Sequence, residues 1–478
     1  MSVATSVSTT IFILNVLFSI VLIFFERRNP STTWAWLLIF MLVPIGGFVI
    51  YLLFGRNISR QKMFDKKVLI DEAKKRYLEN IREEYEYDLS SYEHRDLINM
   101  NYKNSGAIYT QNNDITLYTE GNEKFDALIK ALECATKFIH IEYYIFRPDD
   151  IGKKLLNILM SKAKEGVEVK FLFDAMGSNS LNNKKYLNEL ASAGVEYAAF
   201  FPGIMPYINR RINYRNHRKI VVVDGEIGFV GGFNIGDEYL GKDKNIGYWR
   251  DTHVKVIGQA VYGLEKRFLL DWSYAKNCDI EDIFRYFPKG KNSVDGKIGM
   301  QIVTSGPDHK EQHIRNGYIK IINKAKENLF LQTPYFVPDD TLLEALKISA
   351  LSGVDVRIMI PGKPDHKFMA WAANSYILEL LNVNVKVYLY EKGFIHAKTI
   401  MADGAVCSIG TANMDIRSFK LNFEVNSFIY NSEFTKGLEA SFKEDIKYCR
   451  QINKEEFIKR PLIEKAAESM VRLISPIL

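Results

Sequence analysis

Cysteine is scarce in this 478-residue chain: Cys134, Cys278, Cys407 and Cys449 are scattered, with no CxxC pair and no metal-ligand spacing. That excludes a disulfide scaffold and a zinc module, and free thiols in a reducing compartment are the simplest reading. A strong charge of either sign is also missing. The net charge of +6 is too mild to separate a nucleic-acid partner from an anionic membrane. No Lys or Arg precedes the first apolar run and no small-residue cleavage site comes after it, which argues against a cleaved signal peptide. The length is enough for two or three domains, each with its own core.

The N-terminus supplies long apolar runs. Ile11 to Phe25 is interrupted only by Asn15 and Ser19, and Trp34 to Phe54 carries no charge. Each approaches or reaches the roughly 20 residues that span hydrocarbon. They predict a transmembrane helical hairpin within residues 1–58, with helices at about 8–25 and 34–54, the second kinked by Pro44 and Gly46-Gly47. Trp34, Trp36 and Tyr51 lie near the ends of the second run, where amphipathic aromatics favour the interface. Arg56, Arg60, Lys62, Lys66 and Lys67 crowd its exit and place the remainder of the chain on the cytoplasmic side. Arg27 and Arg28 in the intervening turn leave a shallow or re-entrant hairpin as the other reading. Residues 59–105 read as a juxtamembrane helical linker, a solvated helix beside the bilayer.

Beyond the linker the chain repeats itself. A helical stretch to Ala135 and an apolar run Phe138–Tyr143 parallel the stretch to Ala325 and the run from Leu329 to Thr333. Further helical patterns, around Leu155 to Lys164 and Leu342 to Leu351, lead into Gly166–Leu172 and Gly353–Met359. Strand, helix, strand in that order predicts parallel pairing through a crossover. The repeat divides the chain into an α/β domain over 106–290 and a second over 291–478, the latter ending in an amphipathic helix. Its apolar positions Leu462, Ile463, Ala466, Ala467, Met470, Val471 and Ile474 face either a membrane or the catalytic core.

Each repeat carries one polar motif. His217, Lys219, Asp224, Gly231-Gly232 and Asn234 recur at identical polar spacing as His396, Lys398, Asp403, Gly410-Thr411 and Asn413. A lone HxK means little, whereas two matched copies are not expected of ordinary surface. In each, an apolar strand ends in Asp-Gly and a second strand comes next, so the motif is a hairpin. His217 and Lys219 share parity and point to one face, while Asp224 lies about 17 Å along the strand, where it ties down the turn.

This double pattern resembles the phospholipase D superfamily. The hairpin with Trp34-Ala35-Trp36-Leu37-Leu38 and Pro44-Ile45-Gly46-Gly47, the run Gly231–Tyr239 and Ser305-Gly306-Pro307-Asp308 extend the resemblance to its membrane-bound branch, the bacterial cardiolipin synthases. The resemblance implies two mixed β-sheets flanked by helices, packed with pseudo-twofold symmetry so that both motifs form one site. It also places His217, Lys219, Asp224, His396, Lys398 and Asp403 together as the catalytic set. Lys219 and Lys398 offer point charges, and Asn234 and Asn413 amide hydrogens, to phosphoryl oxygens. One imidazole attacks phosphorus while the other handles the alcohol proton, with no metal or cofactor required. An acid on each distal ring nitrogen would fix the tautomer. Asp251 and Glu424 are the candidates, or else ordinary strand carboxylates; similarity to the superfamily implies the crossed arrangement, Glu424 on His217 and Asp251 on His396, with His217 as nucleophile. Arg210, Arg211 and Arg215, near Arg218, either bind a second headgroup or form a solvated loop, and His366 reads as a polar loop residue.

The implied activity is transfer of a phosphatidyl group between two phosphatidylglycerols, in the plasma membrane and without nucleic acid. Hydrolysis by water, transfer to an amino alcohol, or a silent lipid-binding scaffold are the alternatives. Oligomeric state is not legible.

Overall fold

The computed structural model describes residues 3–24, 30–43, 46–47, 51, 64, 67–68, 71, 92–181, 183–202, 213–280, 282–287 and 296–474. Two sheets of one topology form its body. In the first half the strand order is Asn113–Tyr118, His253–Gly258, Ile227–Gly231, Ile220–Val223, Phe138–Tyr143, Glu168–Asp174, Glu196–Phe200. In the second it is Gly299–Ser305, Asn422–Tyr430, Val406–Gly410, Thr399–Ala402, Asn328–Gln332, Asp355–Pro361, Lys386–Tyr390. In both series the first five strands are antiparallel and the next two join in parallel, and the second sheet is extended by Tyr109–Thr110 at one edge and by antiparallel Cys449–Gln451 at the other.

The parallel steps need crossovers, and the helices Asp150–Lys164 and Asp340–Leu351 supply them. Each starts at an aspartate whose carboxylate accepts a first-turn amide: Asp149 from Gly152, Asp339 from Leu342. The central strand Phe138–Tyr143 is buried at every position, as a strand covered on both faces must be. The halves share one apolar core, in which Phe200, Val254 and Phe268 of the first meet Ile409, Phe423 and Val425 of the second. All four cysteines are free thiols.

Three findings differ from the sequence expectations. The linker does not end in a solvated helix: Arg95–Ser105 buries Leu97, Ile98 and Asn101, and the next strand, Tyr109–Thr110, pairs with Gly299–Ser305 of the second half. The first sheet therefore begins only at Asn113, because the chain first adds an edge to the other half.

At the N-terminus, helices Val3–Phe24 and Pro30–Leu42 pack through Leu22, Trp36 and Phe40. The second is described as a continuous helix to Leu42, most of the positions from there to Phe54 lie outside the described residues, and among the described residues no helix is long and apolar enough to cross a membrane. Pro44, Arg27, Arg28, most of 52–91 and the basic positions Arg56, Arg60, Lys62 and Lys66 lie outside the described residues.

The C-terminal helix Leu462–Ile474 packs on Lys367–Asn382, but not through its apolar face. Glu468 and Val471 are buried and Arg472 pairs with Glu379 at 2.6 Å, whereas Leu462 and Ile463 are 82% and 80% exposed. Val471 joins the core of the second half and Arg472 reaches Glu379, while Glu468 is held by Arg460 of the same segment and most of the apolar side faces outward.

Candidate active site

Each motif hairpin is pinned at its turn by its aspartate. Asp224 and Asp403 adopt φ of 54° and 55°, a left-handed conformation that aspartate tolerates better than most residues. Asp224 accepts from the amides of Thr136, Lys137 and Phe138, and Asp403 from those of Lys326, Glu327 and Asn328. Both thus tie the turn to the start of the central strand. Neither lines the cavity that holds the histidines.

The strands begin only at Ile220 and Thr399, so His217–Lys219 and His396–Lys398 are extended leaders. Segments of the opposite half hold them. Arg215–Asn216 pairs in parallel with Asn422–Phe423, and the His217 amide donates to Phe423 O at 2.9 Å. Gly393–Ile395 pairs likewise with Tyr248–Arg250, and the His396 amide donates to Arg250 O at 2.7 Å. The residue after each acceptor is an acid. Glu424 therefore receives the His217 Nδ1 hydrogen at 2.9 Å, and Asp251 that of His396 at 2.6 Å. This crossed geometry fixes both tautomers and leaves each Nε2 as the nitrogen available for chemistry.

The supports of the two acids differ in size. Glu424 also accepts from Thr411 Oγ1 at 2.5 Å and Asn422 Nδ2 at 3.1 Å. At the position of Thr411 the first motif has Gly232, and a Cβ there would collide with the Asp251 carboxylate.

Burial dominates the electrostatics. It pushes both imidazoles down to about 4, against the opposing pull of Glu424 on His217 and of Asp251 on His396. It also pushes the ammonium of Lys219 down to about 7 and that of Lys398 to about 8. Burial alone would raise both acids, but the neighbouring histidines and lysines hold Glu424 and Asp251 below their ordinary range. Burial thus keeps both rings neutral near pH 7 and leaves the two lysines only partly charged. Lys219 and Lys398 each donate to the backbone oxygen of their own motif histidine at 2.6 Å.

His217, His396, Asn234 and Asn413 line one cavity of about 600 Å³. Asn234 Oδ1 accepts from Ile145 N and its Nδ2 donates to Tyr239, while Asn413 Oδ1 is buried without a partner. Of the basic loop, Arg215 lines the cavity; Arg210 and Arg211 lie outside the described residues. His366 reaches the rim with an exposed side chain.

Sequence reasoning missed Tyr144, packed on His217 with ring centroids 4.9 Å apart, and Trp249, packed on His396 at 5.1 Å. It also missed Arg417, which joins Arg215 at the basic end of the cavity. Pairing the two motifs residue by residue sets Arg417 against Glu238, a break in the repeat that was available as a signal.

Comparisons with known proteins agree with this architecture. The family description "Cardiolipin synthase, PLD-like domain" matches residues 128–272 and 318–446, and "Phospholipase_D-nuclease N-terminal" matches 13–56. A cardiolipin synthase of Clostridium perfringens (strain SM101 / Type A) is 58% identical over 456 residues, 95% of each chain. One of Listeria innocua serovar 6a is 50% identical over 473 residues, 98% of each chain. The solved phosphatidylserine synthase of Haemophilus influenzae Rd KW20 matches with a TM-score of 0.60 over 80% of this chain and 100% of that one; at 15% identity this is a likeness of fold. Because the matched domain takes in both hairpins and the relatives match almost end to end, the chain belongs to the cardiolipin synthase family of phospholipase D-like proteins.

Proposed function

We propose that this chain transfers a phosphatidyl group between two phosphatidylglycerol molecules, giving cardiolipin and glycerol. The observation that carries the reading is the pair of crossed imidazole–carboxylate contacts facing one cavity, in a chain whose relatives are cardiolipin synthases.

His217, neutral and with Nδ1–H held by Glu424, attacks phosphorus through Nε2. The bond to the glycerol oxygen breaks and His396, which takes up a proton at Nε2 from solvent when the anionic phosphodiester enters the cavity, gives that oxygen its proton, leaving phosphatidyl-His217 and glycerol. Glu424 balances the positive charge that the new P–N bond puts on the ring. The hydroxyl of a second phosphatidylglycerol then attacks phosphorus and His396 takes its proton. The P–N bond breaks and cardiolipin leaves. Lys219 and Lys398, buried behind the cavity lining, neutralise the non-bridging oxygens, Asn234 and Asn413 hold them, and Arg215 with Arg417 receives a headgroup phosphate.

The apolar helices Val3–Phe24 and Pro30–Leu42 hold the enzyme at the plasma membrane, and the basic exit of the second run puts the cavity on the cytoplasmic side. Residues 106–290 and 291–478 act as the two catalytic domains, each incomplete without the other's acid.

The test is incubation of the detergent-solubilised chain with phosphatidylglycerol, then lipid mass spectrometry. Cardiolipin with equimolar glycerol is expected, and phosphatidic acid alone would mean hydrolysis. No product, or undiminished turnover in His217→Ala and His396→Ala variants, overturns the enzymatic reading.

A further inference from the structure

A buried ionic and aromatic cluster behind His217 includes residues from the segment just after the N-terminal apolar helices. Phe64 and Lys67 are both buried. The Phe64 ring meets those of Phe201, Tyr214 and Phe423, with centroids 6.1, 5.1 and 5.6 Å away. Lys67 Nζ lies 2.8 Å from Asp71, 3.0 Å from Asp308, 3.6 Å from Asp271 and 5.3 Å from the centre of the Phe423 ring.

Both contacts run on to the reacting histidine. Phe423 O holds the His217 amide, and the next residue is Glu424. Asp271 binds Arg218 at 2.6 Å, and Arg218 Nε donates to Glu424 O at 3.1 Å. His217 and its acid are thus braced by Phe423 and Arg218, and these in turn rest on Phe64 and Lys67.

Among the described residues the second motif has no such dependence. Ala397 stands where the first motif has Arg218, and the strand carrying Asp251 is braced by its own Arg250, which binds Asp445 of the second half at 2.8 Å. The repeat is symmetric in its catalytic groups and asymmetric in their support.

We propose that Phe64 and Lys67 are positioning residues for His217, so that two side chains from outside the repeated halves are part of the working site. Their packing fixes the Phe423–Glu424 strand, and through it the tautomer and aim of the attacking ring. A well-ordered acid beside a reacting histidine contributes on the order of 10²–10⁴-fold in turnover, and partial loosening of that acid gives up part of it. Glu424 raises the affinity of His217 for protons against the effect of burial. A loosened Glu424 therefore moves the acid limb of kcat/KM to lower pH.

The experiment uses the full chain with phosphatidylglycerol in mixed micelles. Lys67→Met is expected to lower kcat by about 10-fold or more, with KM within about twofold and the acid limb displaced downward, while Lys67→Arg retains most of kcat. Because Lys67→Met strands Asp308 and could unfold the chain, Phe64→Ala serves as an uncharged second variant with the same expected signature. A folded Phe64→Ala variant with wild-type kcat and pH profile overturns the proposal, as does a kcat loss in Lys67→Met that Lys67→Arg shares. The inference rests on His217 being catalytic, and His217→Ala tests that separately: activity surviving there sinks the proposed function, whereas activity lost there but intact in Phe64→Ala sinks only the positioning role.

Discussion

Each histidine of the cavity depends on one acid, and that dependence can be measured residue by residue. Glu424→Gln and Asp251→Asn keep the shape but remove the charge that stabilises a protonated or phosphorylated ring; we expect kcat to fall by about 10²–10⁴-fold with KM little changed. Gly232→Ala should cost at least about 10-fold in turnover, since the new Cβ displaces Asp251 from His396.

The pH dependence has a definite sign. Both imidazoles are held by burial at about 4 in the fold, below the ordinary 6.5, so the unfolded chain takes up protons first as pH drops. Their contribution to stability is complete above about 6.5 and declines toward 4, which melting curves across that range will show as a falling midpoint. The lysines predict a second effect. A phosphodiester between Lys219 and Lys398 raises ammonium groups that burial holds at about 7 and 8. Binding of glycerophosphoglycerol at pH 8 should therefore take up protons on the lysines, measurable by calorimetry in buffers of different ionisation enthalpy, and near pH 6 only the uptake at His396 should remain.

At the scale of elements, the two hairpins and the two strand pairs that cross between halves do different work. The hairpins are local and pinned by Asp224 and Asp403. Asp224→Ala and Asp403→Ala each free several backbone amides that bonded a charged acceptor, and each should destabilise the fold by about 2–4 kcal/mol, read as a lower urea midpoint. The crossing pairs are short, two residues at Arg215–Asn216 and three at Gly393–Ile395, yet they set which acid meets which histidine. The C-terminal helix shows how far periodicity reaches. Its apolar stripe is plain in the sequence, but Val471 reaches the core while Leu462, Ile463 and Met470 stay exposed. Ile463→Ser, on the outward side, should change stability by no more than about 0.5 kcal/mol in detergent-free thermal melts.

For the whole molecule, the consequence of crossed acids is that neither half alone holds a complete histidine–acid pair. His217 and Glu424 are separated by 207 positions and His396 and Asp251 by 145. A mixture of purified His217→Ala and His396→Ala chains should make no cardiolipin, because every cavity still lacks one histidine. Restored activity would require a cavity shared between chains.

Taken alone, the sequence determined the repeat, the hairpins and the identity of the motif residues, because those features depend on spacings of a few positions that strand and turn geometry reads directly. It also suggested Asp251 and Glu424 as acids, but their crossing came from resemblance, since no spacing rule connects groups so far apart. Only the tertiary structure decided that Tyr144, Trp249 and Arg417 border the site, and that Arg95–Ser105 packs on the second half. It alone also decided that Phe64 and Lys67 reach behind His217. Aromatic and charged side chains of these kinds occur throughout the chain. What distinguishes these few is burial against a particular neighbour, which the folded arrangement creates and local sequence does not encode.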